Sequence, residues 1–396
     1  MAGLGPAPFG GMVLADLGAD VIQVDRAAQA VRAPPETAEH NVYGRGRRSV
    51  AVDLKADGGS EVVLRLVEDA DVFVEGFRPG VAERLGIGPD DCRPRNPGLV
   101  YGRMTGWGQD GPLAAKAGHD IDYIAVAGAL AHIGRRGQPP TPPLNLVGDF
   151  GGGGMLLALG VLGRSVERAT LAARVRWSTR PWSTAQALLL APIFPTWSMG
   201  YWHPERGTNW LDSGAHYYDA YECADGSYVA VGAIEPQFYA QLLVGLGLAD
   251  EDLPDQNDED AWPEMKERFA AIFRSRARDE WLEVFADLDA CVAPVRTMGE
   301  VGDDAHLRAR ETYVDVDGTL QPAPAPRFDR TSAQLDRPPA PPATTPTRSW
   351  ARPASTSTRS PRSARPAPSP EPERGDERRA TNRAPRSPGG PSLARI

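Results

Sequence analysis

Apolar residues recur along the first hundred positions in two alternating rhythms. Phe9 to Leu17 carries them at helical spacing, and Val21 to Val24 is a short β-branched run after Gly18. This is a helix feeding a strand. Ser49 to Leu54 alternates with the two-residue period of a strand, while Gly59 to Asp69 returns to helical spacing with Val62, Val63, Leu66 and Val67 on one face. Asp71 to Val74 and Leu99 to Met104 are further strands with a helix between them. Strands alternating with helices predict an α/β fold, a Rossmann-like parallel sheet whose ligand site lies at the carboxyl ends of its strands. A doubly wound sheet normally has a strand ahead of its first helix, and Met1 leaves no room for one. The expectation is a chain that starts late and a sheet lacking its first strand.

The pattern changes after Gly151-Gly152-Gly153-Gly154. A helix is predicted over Leu156 to Leu162, and Ala185 to Trp202 is apolar and helical until Pro192 and Pro195. His216 to Tyr221 and Ser227 to Val231 make a hairpin around Ala224-Asp225-Gly226, and Glu235-Pro236 opens a helix that runs through Leu246. Cys291 to Val295 reads as a strand and Glu300 to Glu311 as a helix. From Pro338 onward Pro, Arg, Ser, Thr and Ala dominate, with Trp350 nearly the only large apolar residue. No core can form there, so disorder is predicted. The resulting partition is a large domain over 1–190, a linker over 191–215, a smaller α+β domain over 216–300, a return segment over 301–337 and a tail over 338–396.

Composition narrows the classes. A chain of 396 residues has material for two domains, and its net charge of −9 gives no reason to expect nucleic acid as partner of the whole protein. Cys92, Cys223 and Cys291 are far apart and odd in number, so neither a disulfide framework nor a metal site is suggested, and a reducing cytoplasm fits best. No apolar run approaches the roughly 20 residues needed to cross a bilayer. The opening lacks a charged n-region, and Met12 to Ala15 is too short for an h-region, so neither secretion nor membrane attachment is expected. Gly3-Leu4-Gly5 with Asp25 further on imitates a dinucleotide fingerprint, but Pro6 and Pro8 interrupt it and the third glycine is misplaced. A tight turn before a packed helix is the better account.

Candidate chemistry concentrates between Arg103 and Met155. RMTGWGQDGP, AGHDIDYI and NLVGDFGGGGM place His119 and Asp149 beside glycine-rich turns, where a backbone can pass close to a ligand. A histidine and a carboxylate on opposite sides of one small pocket are what carbon-acid chemistry needs, since one removes a proton and the other returns one. A histidine next to Asp120 can equally be a hydrogen-bonded structural residue, and Asp149 before four glycines a plain turn residue. His40, His132, His203, His216 and His306 have no comparable setting. Arg26, Lys55 and Arg78 fall just after strand ends, where they could meet phosphates.

The succession GGMVLADLGADVIQVDR, VDLK, VEGFRPGVAERLGIGP, YGRMTGWGQDGP, AGHDIDYI, PPLNLVGDFGGGGM and YECADGSYVAVGAIEPQFY resembles the α-methylacyl-CoA racemases of the family III CoA-transferase superfamily, over about Leu4 to Pro326. The resemblance implies a two-domain subunit and an interlocked homodimer, with the active site between the large domain of one subunit and the small domain of the other. It implies CoA contacts at Arg26, at Val52, Asp53, Leu54 and Lys55, at Gly76, Phe77 and Arg78, at Arg84, and at Gly118, Asp120, Ile121, Asp122 and Tyr123. Arginine forks and exposed backbone amides suit such a ligand. His119 and Asp149 carry over as the bases that invert a 2-methylacyl-CoA thioester through a planar enolate, and backbone amides near the pair are the source of donors for its oxygen. Glu235 matches the acid that approaches the histidine from the other subunit. Neither metal nor separate cofactor is implied, because coenzyme A is part of the substrate. The same superfamily offers an alternative, a CoA-transferase in which Asp149 is the acyl-accepting nucleophile. Transferases generally lack the histidine of AGHD, so His119 favours proton transfer.

One stretch departs from the pattern. Where the family has a segment resembling GxGQVVDxAMVDG, this chain has LAARVRWSTRPWSTAQA, from Leu171 to Ala187. Trp-Ser-Thr written TGG TCN ACN and read two bases later contains GTC NAC, which can encode Val-Asp, and the tripeptide occurs at Trp177 and at Trp182. A reading-frame error across Leu171 to Thr184 accounts for both. It puts Arg174, Arg176 and Arg180 where a buried apolar strand is expected, and so admits a third possibility, an inactive, frame-damaged member of the family.

Overall fold

The computed structural model describes residues 1–3, 5–30, 41–171, 178–328 and 335. The predicted tail and residues 172–177 of the aberrant stretch lie outside them. Helix α1 (Pro6–Asp16) starts with proline, whose missing N–H costs nothing in a first turn, and buries Ala7, Met12, Leu14 and Ala15. Strand β1 (Val21–Arg26) pairs in parallel with β2 (Arg47–Val52), bringing Val24 opposite Val50 and Arg26 opposite Val52. Helix α2 (Gly59–Glu68) leads to β3 (Val72–Glu75), which is parallel to β4 (Val100–Thr105). On its other side β4 pairs in parallel with β5 (Ser178–Pro181), so a strand does form within the aberrant stretch.

These parallel strands make two sheets, β1-β2 and β3-β4-β5, and not the single sheet the alternating pattern predicts. The inner strands β1 and β3 are linked through the residues ahead of α1. Ala2 N–H donates to Val24 O at 2.8 Å and the Met1 amino group donates to Val74 O at 2.7 Å. One core nevertheless spans both sheets. Val24, Val50 and Val52 from the first sheet pack with Phe73 and Tyr101 from the second beneath Val63 and Val67 of α2. The strand period of two sends Val72, Val74 and Met104 to the opposite face, where they meet Ala7 and Leu14 of α1 and Leu157, Ala158 and Val161. Helices therefore cover both faces.

The glycine stretch is helical, which the composition disguised. Leu146–Met155 is a π-helix that passes without a break into α3 (Leu156–Leu171). Its glycines serve close packing: a Cβ on Gly154 would lie 2.6 Å from Phe9 and 2.8 Å from Pro6 O, and one on Gly153 would lie 3.0 Å from the Pro6 ring. The run Leu146–Glu167 thus reaches 22 residues and contains an 18-residue span with a mean hydropathy of 1.5, long and apolar enough by those two measures to cross a membrane, against the expectation that no run would. In this fold 39% of that span is buried within the chain.

Further along, helix α4 (Trp182–Leu189) and helix α5 (Ile193–Ser198) precede an antiparallel sheet of β6 (Tyr218–Glu222), β7 (Tyr228–Gly232) and β8 (Val292–Pro294). Helix α6 (Pro236–Leu246), Trp262–Phe273 and Arg278–Val284 close a separate aromatic core over it, with Phe269 and Phe273 fully buried. A final hairpin, β9 (Tyr313–Val316) and β10 (Thr319–Pro322), returns to α1 through Arg45. The buried Arg45 guanidinium holds Asp16 at 2.6 Å, Gln321 Oε1 at 2.9 Å and Pro322 O at 2.6 Å.

Candidate active site

Strand β4 ends at Thr105, and the loop after it builds a support for His119. Trp107 stands edge-on to Tyr123 at 4.8 Å and donates from Nε1 to Ala117 O at 3.2 Å. The Tyr123 hydroxyl donates to Gly118 O. Both rings leave no space for a side chain on Gly118, where a Cβ would lie 2.8 Å from Tyr123 and 2.9 Å from Trp107. The short helix Asp120–Val126 then begins with His119 in its N-cap position, in extended conformation. His119 N–H donates to Asp122 Oδ2 at 2.9 Å, and its carbonyl accepts from the amides of Asp122 and Tyr123. The backbone is fixed and the imidazole is exposed.

Asp149 comes from the π-helix, partly buried, on the side facing that cap. Its backbone N–H donates to Asp120 Oδ2 at 2.6 Å. A Cβ on Gly5 would sit 3.2 Å from Asp149 Oδ2, so the turn before α1 closes over the carboxyl group. Burial pushes the Asp149 carboxyl above the usual range, and the Asp120 charge adds to this; a hydrogen bond from Asn145 and the proximity of His119 oppose it. Tyr123 is pushed up to about 12, first by burial and then by Asp149 and Asp122, with Arg78 pulling the other way. His119, Asp120, Tyr123, Asp149 and Arg78 therefore share one electrostatic neighbourhood. Asp149 Oδ1 is buried and has no hydrogen-bond partner among the described residues.

The remaining predicted contacts lie along strand ends. Arg26 and the segment Val52, Asp53, Leu54 and Lys55 follow the paired strands β1 and β2, with Arg26, Asp53 and Lys55 exposed and Lys55 N–H donating to Asp53 Oδ1 at 2.9 Å. Gly76, Phe77 and Arg78 follow β3 in a turn held by the buried Glu75, which accepts from Phe77 N–H at 2.7 Å. Burial pushes Glu75 up to about 7 in spite of that amide and of Arg103. Arg84 is exposed, as are Ile121 and Asp122. Glu235 is exposed at the N-cap of α6, where its charge acts on the Cys291 thiol. Among the described residues no group of three or more His, Cys, Asp or Glu side chains could hold a metal.

Two participants escaped the sequence. Asp120, expected among CoA contacts, is 5% exposed and turns its carboxylate toward the Gly148 and Asp149 amides. Gln186, fully buried, donates from Nε2 to Gly148 O at 2.9 Å. The acid after the histidine in AGHD was a visible signal for the first; the second lay in the aberrant stretch.

A profile of CoA-transferase family III matches residues 1–346. The chain belongs to CoA-transferase family III. Among similar family III proteins, α-methylacyl-CoA racemase of Mus musculus is 46% identical over 334 residues, covering 84% of this chain and 85% of that protein. Its Homo sapiens counterpart is 42% identical over the same coverage. In structure, the chain is similar to Rv3272 from M. tuberculosis in its orthorhombic form, with a TM-score of 0.68 and 26% identity, covering 87% of this chain and 94% of that one. The chain shares its mixed α/β fold with that neighbour.

Proposed function

We propose that this family III chain is an α-methylacyl-CoA racemase, interconverting the (2R) and (2S) epimers of 2-methylacyl-CoA thioesters. The observation that supports it is the hydrogen bond from Asp149 N–H to the carboxylate of Asp120, the residue after His119, which joins the segment of an exposed imidazole to that of a partly buried carboxyl group. The α-proton of a thioester leaves to one of these groups, and the other returns a proton to the opposite face of the enolate. Negative charge builds on the thioester oxygen as the proton leaves. The first-turn amides of the helix after His119, those of Asp120 and Ile121, have no carbonyl ahead of them inside that helix and serve as donors to it.

Coenzyme A enters as part of the substrate along Arg26, Val52 to Lys55, Gly76 to Arg78 and Arg84, where basic side chains meet its phosphates, and no separate cofactor is used. The enzyme works as a cytoplasmic homodimer whose subunits interlock, so that Glu235 serves the histidine of the other subunit. Phe194, Trp197, Met199 and Tyr201, each more than half exposed, support a partner surface around α5. A solution mass of 42.5 kDa, that of one chain, would remove the dimer.

Incubating the purified chain with one epimer of a 2-methylacyl-CoA in deuterated water tests the reaction. Racemisation gives α-deuterium and a mixture of epimers with no acceptor present. Product that forms only when a free carboxylic acid is added would make the chain a transferase with Asp149 as nucleophile. No turnover in either assay would make it an inactive member.

A further inference from the structure

We propose that Asp120 is the positioning residue that sets the two bases against each other, its backbone continuing directly from His119 while its carboxylate holds the amide of Asp149. The inference rests on the racemase reading of His119 and Asp149. Four observations carry it. The contact is short, 2.6 Å from Asp149 N to Asp120 Oδ2, and lies in a place where Asp120 is only 5% exposed. Gly148 has to be glycine for the contact to exist, because a Cβ there would fall 2.5 Å from Asp120 Oδ2 and 2.7 Å from its Cγ. From the other side Gln186 Nε2 grips Gly148 O at 2.9 Å, so the peptide leading into Asp149 is held on both faces. Capping the helix after His119 falls to Asp122, which accepts from His119 N–H, and this leaves the Asp120 carboxylate for the link between segments.

A neutral amide could make the same hydrogen bond, yet the residue is a buried acid whose Oδ1 has no partner among the described residues. The charge therefore has a consequence beyond the tie, which is to hold the Asp149 carboxyl group in its protonated form to higher pH. The groups facing Asp149 are His119, Asp120 and Tyr123 from the segment around the cap, Tyr43 from the turn Val42–Gly44, and Asn145 at the N-cap of the π-helix. The turn before α1 presents Gly5 to the carboxyl group, and α4 reaches the neighbouring Gly148 O with the uncharged Gln186.

The test compares Asp120→Asn with Asp120→Ala in the full chain, measuring kcat, KM and the pH profile of racemisation. Asp120→Asn keeps an acceptor for the Asp149 amide, retains most of kcat and moves the limb of the profile that belongs to the carboxyl group to lower pH, leaving the other limb in place. Asp120→Ala lowers kcat by about 100-fold with KM for the thioester nearly unchanged, the scale expected of a misplaced reacting group. Gly148→Ala, which pushes the carboxylate aside without touching its charge, reproduces that loss and adds little to it in the double variant. Equal losses in Asp120→Asn and Asp120→Ala with an unmoved profile, or parental kinetics in both, would overturn the inference. If Asp120→Ala does not fold, the Asp120→Asn profile and Gly148→Ala decide. Full racemisation by His119→Ala and Asp149→Asn would instead overturn the racemase reading itself.

Discussion

His119 and Asp149 are placed by different means. The first sits at an exposed helix start pinned by its own backbone, and the second is inlaid in a packed helix whose amide is tied to Asp120. Both residues were legible as chemistry in AGHD and VGDFGGGG, because a histidine and an acid in glycine-rich surroundings are distinctive. Asp120 was visible in AGHD but its contact with Asp149 was not, and Gln186 was not visible at all, since the importance of both lies in which distant backbone atom they touch. His216 shows the same limit in the second core: it is 1% exposed, bonded through Nε2 to Tyr239 Oη at 2.8 Å and faced edge-on by Phe269. Burial, helped by Lys266, pushes its imidazole from 6.5 down to about 4. The folded chain resists a proton that the unfolded chain accepts, so this contribution is intact above about pH 6.5 and is lost as pH falls through 6.5 toward 4. It amounts to on the order of 3 kcal/mol. Urea titrations across that window should show the slope, and His216→Gln, which can still bond Tyr239, should flatten it.

At the scale of elements, strands rich in Val and Ile were plain in the sequence because period two and β-branching coincide in β1 and β3, whose ends the structure shifts by no more than two residues. The π-helix was read as a turn, because glycine has low helix propensity and carries no side chain to mark a period. What decides the outcome there is packing against α1, with Gly10 and Gly154 almost in backbone contact. Gly154→Ala should cost about 1–3 kcal/mol through overpacking against Pro6 and Phe9, seen as a lowered melting temperature. Gly163, with nothing within 4 Å of its added Cβ, is the control: alanine there should not lower it.

At the scale of the whole molecule, the tie that spans most sequence among the described residues is Arg45 with Asp16 and with Gln321 and Pro322 of the last hairpin, partners no local pattern could join. Arg45→Ala strands a carboxylate that is 4% exposed and should destabilise by about 3–5 kcal/mol, whereas replacing both Arg45 and Asp16 by apolar residues should recover part of the loss in the same denaturation assay. The division of the parallel strands into two sheets has its own outcome. Among the described residues, each of β1 and β3 has a strand ladder along one flank, and at the other flank residues 1–2 bridge them, which makes a seam between the two sheets. Arg26 and Lys55 follow strands on one side of that seam, Gly76 and Arg78 a strand on the other. A thioester gripping both sides would fasten the seam, so added CoA ester should slow deuterium uptake at β1 and β3 far more than in the aromatic core around Phe269.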